Sequence, residues 1–164
     1  MYYGLIVENP NASWAAFGTG VDITFVDGSG KELTTLGGLF ATLMPGQVAA
    51  IGGSTPSGQG AKSMDVKLVE LEWLAMATPP VPLTVSDIVT KTSGDRMTTA
   101  GTITNSSAQP IDFVAINIIY RDGAGKIIGG SDDRARVPAN SNVDFEVEAL
   151  EVLPAKATEV YLWY

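Results

Sequence analysis

Cysteine and histidine are both absent from the 164 residues. Their absence removes disulfide stapling, thiol nucleophiles, zinc–thiolate sites and every histidine-based catalytic triad. Charge is scarce too: Asp, Glu, Lys and Arg make up 17% of the chain, against about 25% in an average globular domain. No apolar run reaches the roughly 18 residues that a membrane-spanning helix needs. The opening Met1-Tyr2-Tyr3-Gly4-Leu5 lacks the charged start of a signal peptide. No basic patch stands out, and the net charge is −8. Residues 1–78 hold three lysines against seven acids, and residues 79–164 hold seven basic residues against eleven acids, so each half carries −4. An evenly acidic chain argues against nucleic acid and anionic membranes as partners.

What is present is the pattern of strands. Apolar residues are 45% of the chain and glycines number 18. Val21, Ile23 and Phe25 alternate with polar positions, as do Val143, Phe145 and Val147. Val114, Ile116, Ile118 and Tyr120 share one face of a further strand. Asp27-Gly28-Ser29-Gly30 and Asp122-Gly123-Ala124-Gly125 read as hairpin loops, with glycine supplying positive φ and Asp capping its own turn. Gly52–Ser63 reads as a surface loop, and Thr78-Pro79-Pro80-Val81-Pro82 as an extended linker.

Laid on itself, the chain repeats. Val7-Glu8-Asn9 lies over Ile103-Thr104-Asn105, and Val21, Ile23, Phe25 and Asp27 over Ile116, Ile118, Tyr120 and Asp122. Met44-Pro45 matches Val137-Pro138, and Val69 to Trp73 is laid over Val160 to Trp163. The expected fold is all-β: tandem immunoglobulin-like β-sandwiches at residues 1–78 and 79–164, the first lacking its N-terminal strand. The second copy carries an additional strand from Leu83 to Val89, whereas the first begins directly with Leu5 and Val7. A missing first strand leaves a sheet edge open, to be covered by an upstream segment or by a neighbouring molecule, a second copy of the chain included.

The second copy reads Gly101-Thr102-Ile103-Thr104-Asn105-Ser106, then Tyr120-Arg121-Asp122, Gly125-Lys126, Val137-Pro138 and Phe145. In these positions it resembles the FxLYD-type bacterial immunoglobulin-like domains. The first copy is similar through Val7, Asn9, Phe25, Asp27, Gly30-Lys31 and Pro45-Gly46, with Leu5 in place of the corner glycine; in the second copy Ala139 replaces the glycine after Pro138. The resemblance implies a secreted or lipid-anchored protein of the bacterial cell envelope, held there by a segment upstream of this chain. Val7-Glu8-Asn9-Pro10-Asn11 is also similar to the Asn-Pro element of water-stress and hypersensitive-response domains. Neither family brings a catalytic residue.

Carboxylates are then the available acid–base groups. Glu70/Glu72 and Glu146/Glu148 each share a strand face, a spacing open to hydrolytic chemistry, but their alternation with Leu71 and Val147 reads as a solvated face. No catalytic residue, metal or cofactor is assigned. Asp132-Asp133, after Gly129-Gly130-Ser131, are candidate binding residues with calcium as the cation they suit, although a full ligand loop is missing. Trp73 and Trp163, laid over each other, read as core. Trp14 has no such counterpart; exposed, it would be a binding anchor, and packed, it would cap the sandwich. The expectation is a non-enzymatic envelope or secreted module that spaces or binds, with protein or an envelope polymer as partner. The alternative is a carbohydrate-binding accessory module, which needs more aromatic surface than Trp14 alone.

Overall fold

A computed structural model describes residues 1–69, 72–76 and 82–164, with backbone alone for 38–41. Among them the regular elements are strands and one 3-10 turn, Pro56–Gly58. In one sheet β2 (Trp14–Val26) lies between β3 (Glu32–Leu43) and β5 (Ser63–Val69). Strand β6 (Glu72–Ala75) extends β5 along β2 without a register change, since Gly20 opposes Val69 and Phe17 opposes Glu72. Strands β1 (Tyr2–Glu8) and β4 (Val48–Ser54) form a two-stranded sheet. Strand β9 (Ile111–Arg121) lies between β10 (Ile127–Val137) and β12 (Ala157–Trp163), and β8 (Arg96–Asn105) between β7 (Thr84–Ser93) and β11 (Ser141–Ala149). The order β3-β2-β5 therefore recurs as β10-β9-β12, and β4-β1 recurs as β11-β8 with β7 added outside.

The chain divides into two compact units that do not follow its two halves. One comprises Met1, Glu8–Val48 and Thr55–Pro79; the other comprises Tyr2–Val7, Ala49–Ser54 and Pro80–Tyr164. Most of β1 and β4 thus groups with β7–β12. The expected boundary at 78/79, and all but the last residue of the proline-rich linker, lie outside the described residues.

In the larger unit, Ile103, Phe145 and Val147 from one sheet pack on Val114, Ile116, Ile118 and Tyr120 from the other. Burying each such side chain stabilises by about 1.5–3 kcal/mol. The opposite face of β9 is buried as well, so Val114 to Tyr120 form one continuous buried run. The β1–β4 pair covers it. A Cβ on Gly52 would lie 2.7 Å from the Ile118 carbonyl oxygen and 3.0 Å from Gly130 Cα, and one on Gly130 would lie 2.6 Å from Gly52 Cα. Backbone meets backbone here because neither residue carries a side chain. Asn117 fastens the layers: its amide accepts from Trp163 Nε1–H at 2.8 Å and donates to the Ala50 carbonyl at 3.3 Å. Buried polar groups persist where they are bonded in this way.

In the smaller unit Val21, Ile23 and Phe25 are fully buried on one face of β2. The Phe25 ring packs against Gly58 of the 3-10 turn, where an added Cβ would approach it to 3.2 Å.

The corners repeat bond for bond. Asn9, buried, donates from Nδ2 to the carbonyls of Trp14, Leu43 and Met44 at 2.8, 3.0 and 3.1 Å, while its Oδ1 accepts the Asn11 N–H. Asn105, buried alike, donates to Gln109, Val137 and Pro138 at 2.9, 3.4 and 3.0 Å and accepts the Ser107 N–H. The hairpins also match. Asp27 Oδ1 accepts the N–H groups of Ser29 and Lys31, and Asp122 Oδ1 those of Ala124 and Lys126. Gly30 and Gly125 take φ of +85° and +80°, as the turn chemistry required.

Two stability predictions follow from these contacts. Asn105→Ala strands the buried Val137 carbonyl and removes two part-buried bonds, and should cost about 1–3 kcal/mol in urea unfolding. Gly130→Ala should cost about 2–4 kcal/mol by forcing the β1–β4 pair away from β9, whereas Gly123→Ala should stay within about 0.5 kcal/mol. The Gly123 control is open: its added Cβ would meet only Lys156 Cγ, at 3.8 Å.

Candidate functional site

The first candidate is one end of the β2 sheet. Trp14 opens β2, and its carbonyl is held by the Asn9 amide. It opposes Ala75, and Ala16 opposes Trp73. Trp14 and Trp73 are therefore diagonal neighbours on one face, about 7–8 Å apart in such a ladder. Phe17 and Leu74 fall on the other face, through their pairing with Glu72 and Ala15. Trp14, Phe17, Trp73 and Leu74 are 46%, 49%, 43% and 42% exposed. Ala16 and Ala75 are too small to screen the tryptophans, and Ala16 is itself buried.

Trp73 is thus not a core residue. Nor is it the counterpart of Trp163. With Val21, Ile23 and Phe25 laid on Ile116, Ile118 and Tyr120, the partner of Trp163, Ala115, falls on Gly20, and Gly20 pairs with Val69. Trp163 corresponds to Val69, a spacing of 94 rather than the 90 that aligning the tryptophans demands. Trp163 is half-buried and bonded to Asn117, with Phe113 beside it at 6.0 Å between ring centroids. The exposed Trp73 was legible only once register had been settled, because Glu72-Trp73-Leu74 carries no periodic mark of its own.

The second candidate, Asp132-Asp133, lies on β10 rather than in a loop. Asp132 opposes Asn117 and Asp133 opposes Ile116, so successive side chains leave opposite faces of the sheet. Asp133 Oδ1 accepts the Arg134 N–H at 2.8 Å. The two carboxylates do not converge, and among the described residues no three carboxylates gather as a cation would require. Asp132 instead stands at a shallow cavity of about 170 Å³, shared with Tyr2, Gly53 and Leu150. Asp132 is an exposed residue, and the partial desolvation of its carboxyl pushes the pKa above the usual range; Arg134 opposes that shift and Asp133 adds to it. Desolvation also raises the Tyr3 phenol, helped by the Asp132 charge.

Of the paired glutamates, Glu146 and Glu148 are exposed on β11, and Glu148 meets Arg96 at 3.6 Å. Glu70 lies outside the described residues and Glu72 is exposed. Sequence reasoning missed a row of hydroxyls through the larger unit, Thr158, Thr90, Thr99, Tyr120 and Ser131. It is assembled from five strands, so no local motif announces it.

A carboxyl whose folded pKa is raised costs stability once it ionises and none while it stays protonated. Asp132→Asn should therefore raise the melting temperature at neutral pH, and the gain should vanish as pH falls below the ordinary aspartate range; equal melting temperatures at pH 7 would refute this. Searched against known proteins, the chain matches no family model and no curated relative.

Proposed function

We propose that this protein is a non-enzymatic binding module of the bacterial cell envelope or exterior, built from two copies of one immunoglobulin-like sandwich, that holds a protein partner on the Trp14–Trp73 face. The observation that carries the reading is the pair of tryptophans, nearly half exposed on one side of one sheet. Exposed tryptophan is costly to leave in water and is enriched at the centres of protein interfaces. The matching bonds of Asn9 with Asn105 and of Asp27 with Asp122 support the duplication. The envelope setting rests on the likeness of the Asn corner, the Asp-Gly hairpin and the Pro corner to FxLYD-type domains. A chain without histidine or cysteine supports binding over catalysis.

The same two indoles favour a second reading, in which a sugar chain lies across the face. One experiment ranks the two. The protein and its Trp14→Ser/Trp73→Ser variant are sedimented with envelope fractions, untreated, protease-treated, or reduced to purified polysaccharide. Binding that falls about tenfold or more in the variant, and that protease treatment of the fraction abolishes, is the expected result. Retention on purified polysaccharide would put the sugar reading first. Equal binding by the variant, with its melting temperature unchanged, would remove this face from any role.

A further inference from the structure

Strand β5 ends one side of the smaller unit's sheet. Its inner side pairs with β2, and among the described residues no strand pairs with its outer side. Ser63–Val69 run along β2 in one unbroken register. A regular, unpaired edge is a template for a further strand, and proteins ordinarily blunt such edges with bulges, prolines or charge. Elsewhere this chain does so. Strands β3, β7 and β10 carry register shifts. Strand β11 turns Asp144, Glu146 and Glu148 to solvent, so a second β11 would meet acid with acid.

On β5 the charges alternate in sign instead. Asp65 and Lys67 flank Val66 and share one face of the strand. Asp22 lies opposite Lys67 on β2, but among the described residues neither Lys67 nor Asp65 forms an ion pair. The other face is apolar. Val66 and Leu68 oppose the fully buried Ile23 and Val21, yet are themselves 47% and 49% exposed. The apolar face of the sheet therefore runs on, uncovered, to its edge.

The sequence of β5 is complementary to itself. A second β5 laid antiparallel along this edge is related to the first by a two-fold axis through the sheet. Facing side chains must then lie on the same face, so the axis passes at a residue and not between two. With the axis at Val66, each Asp65 faces the other molecule's Lys67, Val66 meets Val66, and Met64 meets Leu68. This axis also pairs every residue from Ser63 to Val69. Moved to Asp65 or to Lys67, it would set like charges directly opposite and shorten the ladder. Unlike charges across a ladder stabilise it and like charges destabilise it, so the charges select the Val66 register. The contact uses the same edge of both molecules and closes at two.

We propose that two molecules of this protein associate through β5, antiparallel and centred on Val66, joining their β3-β2-β5 sheets into one. The test is sedimentation equilibrium of the full chain from about 1 to 500 μM, where a monomer–dimer equilibrium with a Kd of about 100 μM or below is expected. Asp65→Lys and Lys67→Asp, both exposed changes, should each weaken self-association about tenfold or more. Mixed in equal amounts, the two variant chains should associate with each other, because every facing pair of charges is again unlike. A parent chain that stays monomeric up to about 500 μM would leave the edge to a strand of some other protein and overturn the proposal. Either variant dimerising like the parent, or a mixture of folded variants that stays monomeric, would overturn it too. The Trp14→Ser/Trp73→Ser chain should dimerise as the parent does, so this result and the sedimentation with envelope fractions fail separately.

Discussion

One side-chain amide sets each corner of this protein. Asn9 sits at the end of β1 and reaches the first carbonyl of β2 and the last carbonyls after β3, so one buried group ties three strand ends together. Asn105, the last residue of β8, likewise reaches the Gln109 carbonyl just ahead of β9 and the Val137 and Pro138 carbonyls at the end of β10. A neutral hydrogen bond contributes only about 1 kcal/mol net, but stranding a buried carbonyl costs about 1–3 kcal/mol, so the corner is held mainly by what its loss would expose. Because the Trp14 carbonyl is one of the acceptors, the corner also sets where the Trp14 indole leaves the sheet. The exposed Trp14 is thus positioned from a buried amide.

A second constraint is the double burial of β9. One face of a strand is ordinarily left to water in an antiparallel sheet. Here the Ala115, Asn117 and Ile119 face is taken by β1 and β4, with glycines removing the side chains that would keep the backbones apart. Glycine is entropically costly within strands, and its use at facing positions 52 and 130 is repaid by the apolar area that the approach closes. It also explains why the compact units cross the sequence halves, since β1 and β4 bury their surface on β9 and β10.

Much of this was legible in the sequence, and the boundary of legibility is physical. Asx corners, Asp-Gly hairpins and alternating strands are local: the residues that make the bond lie within a few positions of one another, so Asn9, Asp27, Asn105 and Asp122 could be read directly. What failed was non-local. Matching tryptophans at the chain's two ends seemed to mark equivalent core positions, but only strand pairing reveals that Trp163 answers to Val69. Asp132 and Asp133 are adjacent in sequence, but they lie on a strand, where the pleat sends their side chains apart. The hydroxyl row and the grouping of β1 with β9 depend on which strands meet, which spacing along the chain does not encode.

Where both units solve one structural problem, turning a corner or closing a hairpin, they keep the same bonds to within a few tenths of an ångström. Where they depart, the departure is costly in itself. The smaller unit leaves two indoles in water, an expense that folding alone does not require. The larger unit carries hydroxyls through its core at Thr99 and Tyr120, whereas the core of the smaller unit holds the apolar ring of Phe25. A polar row through a core persists where its members bond one another, as these do from Ser131 to Thr158.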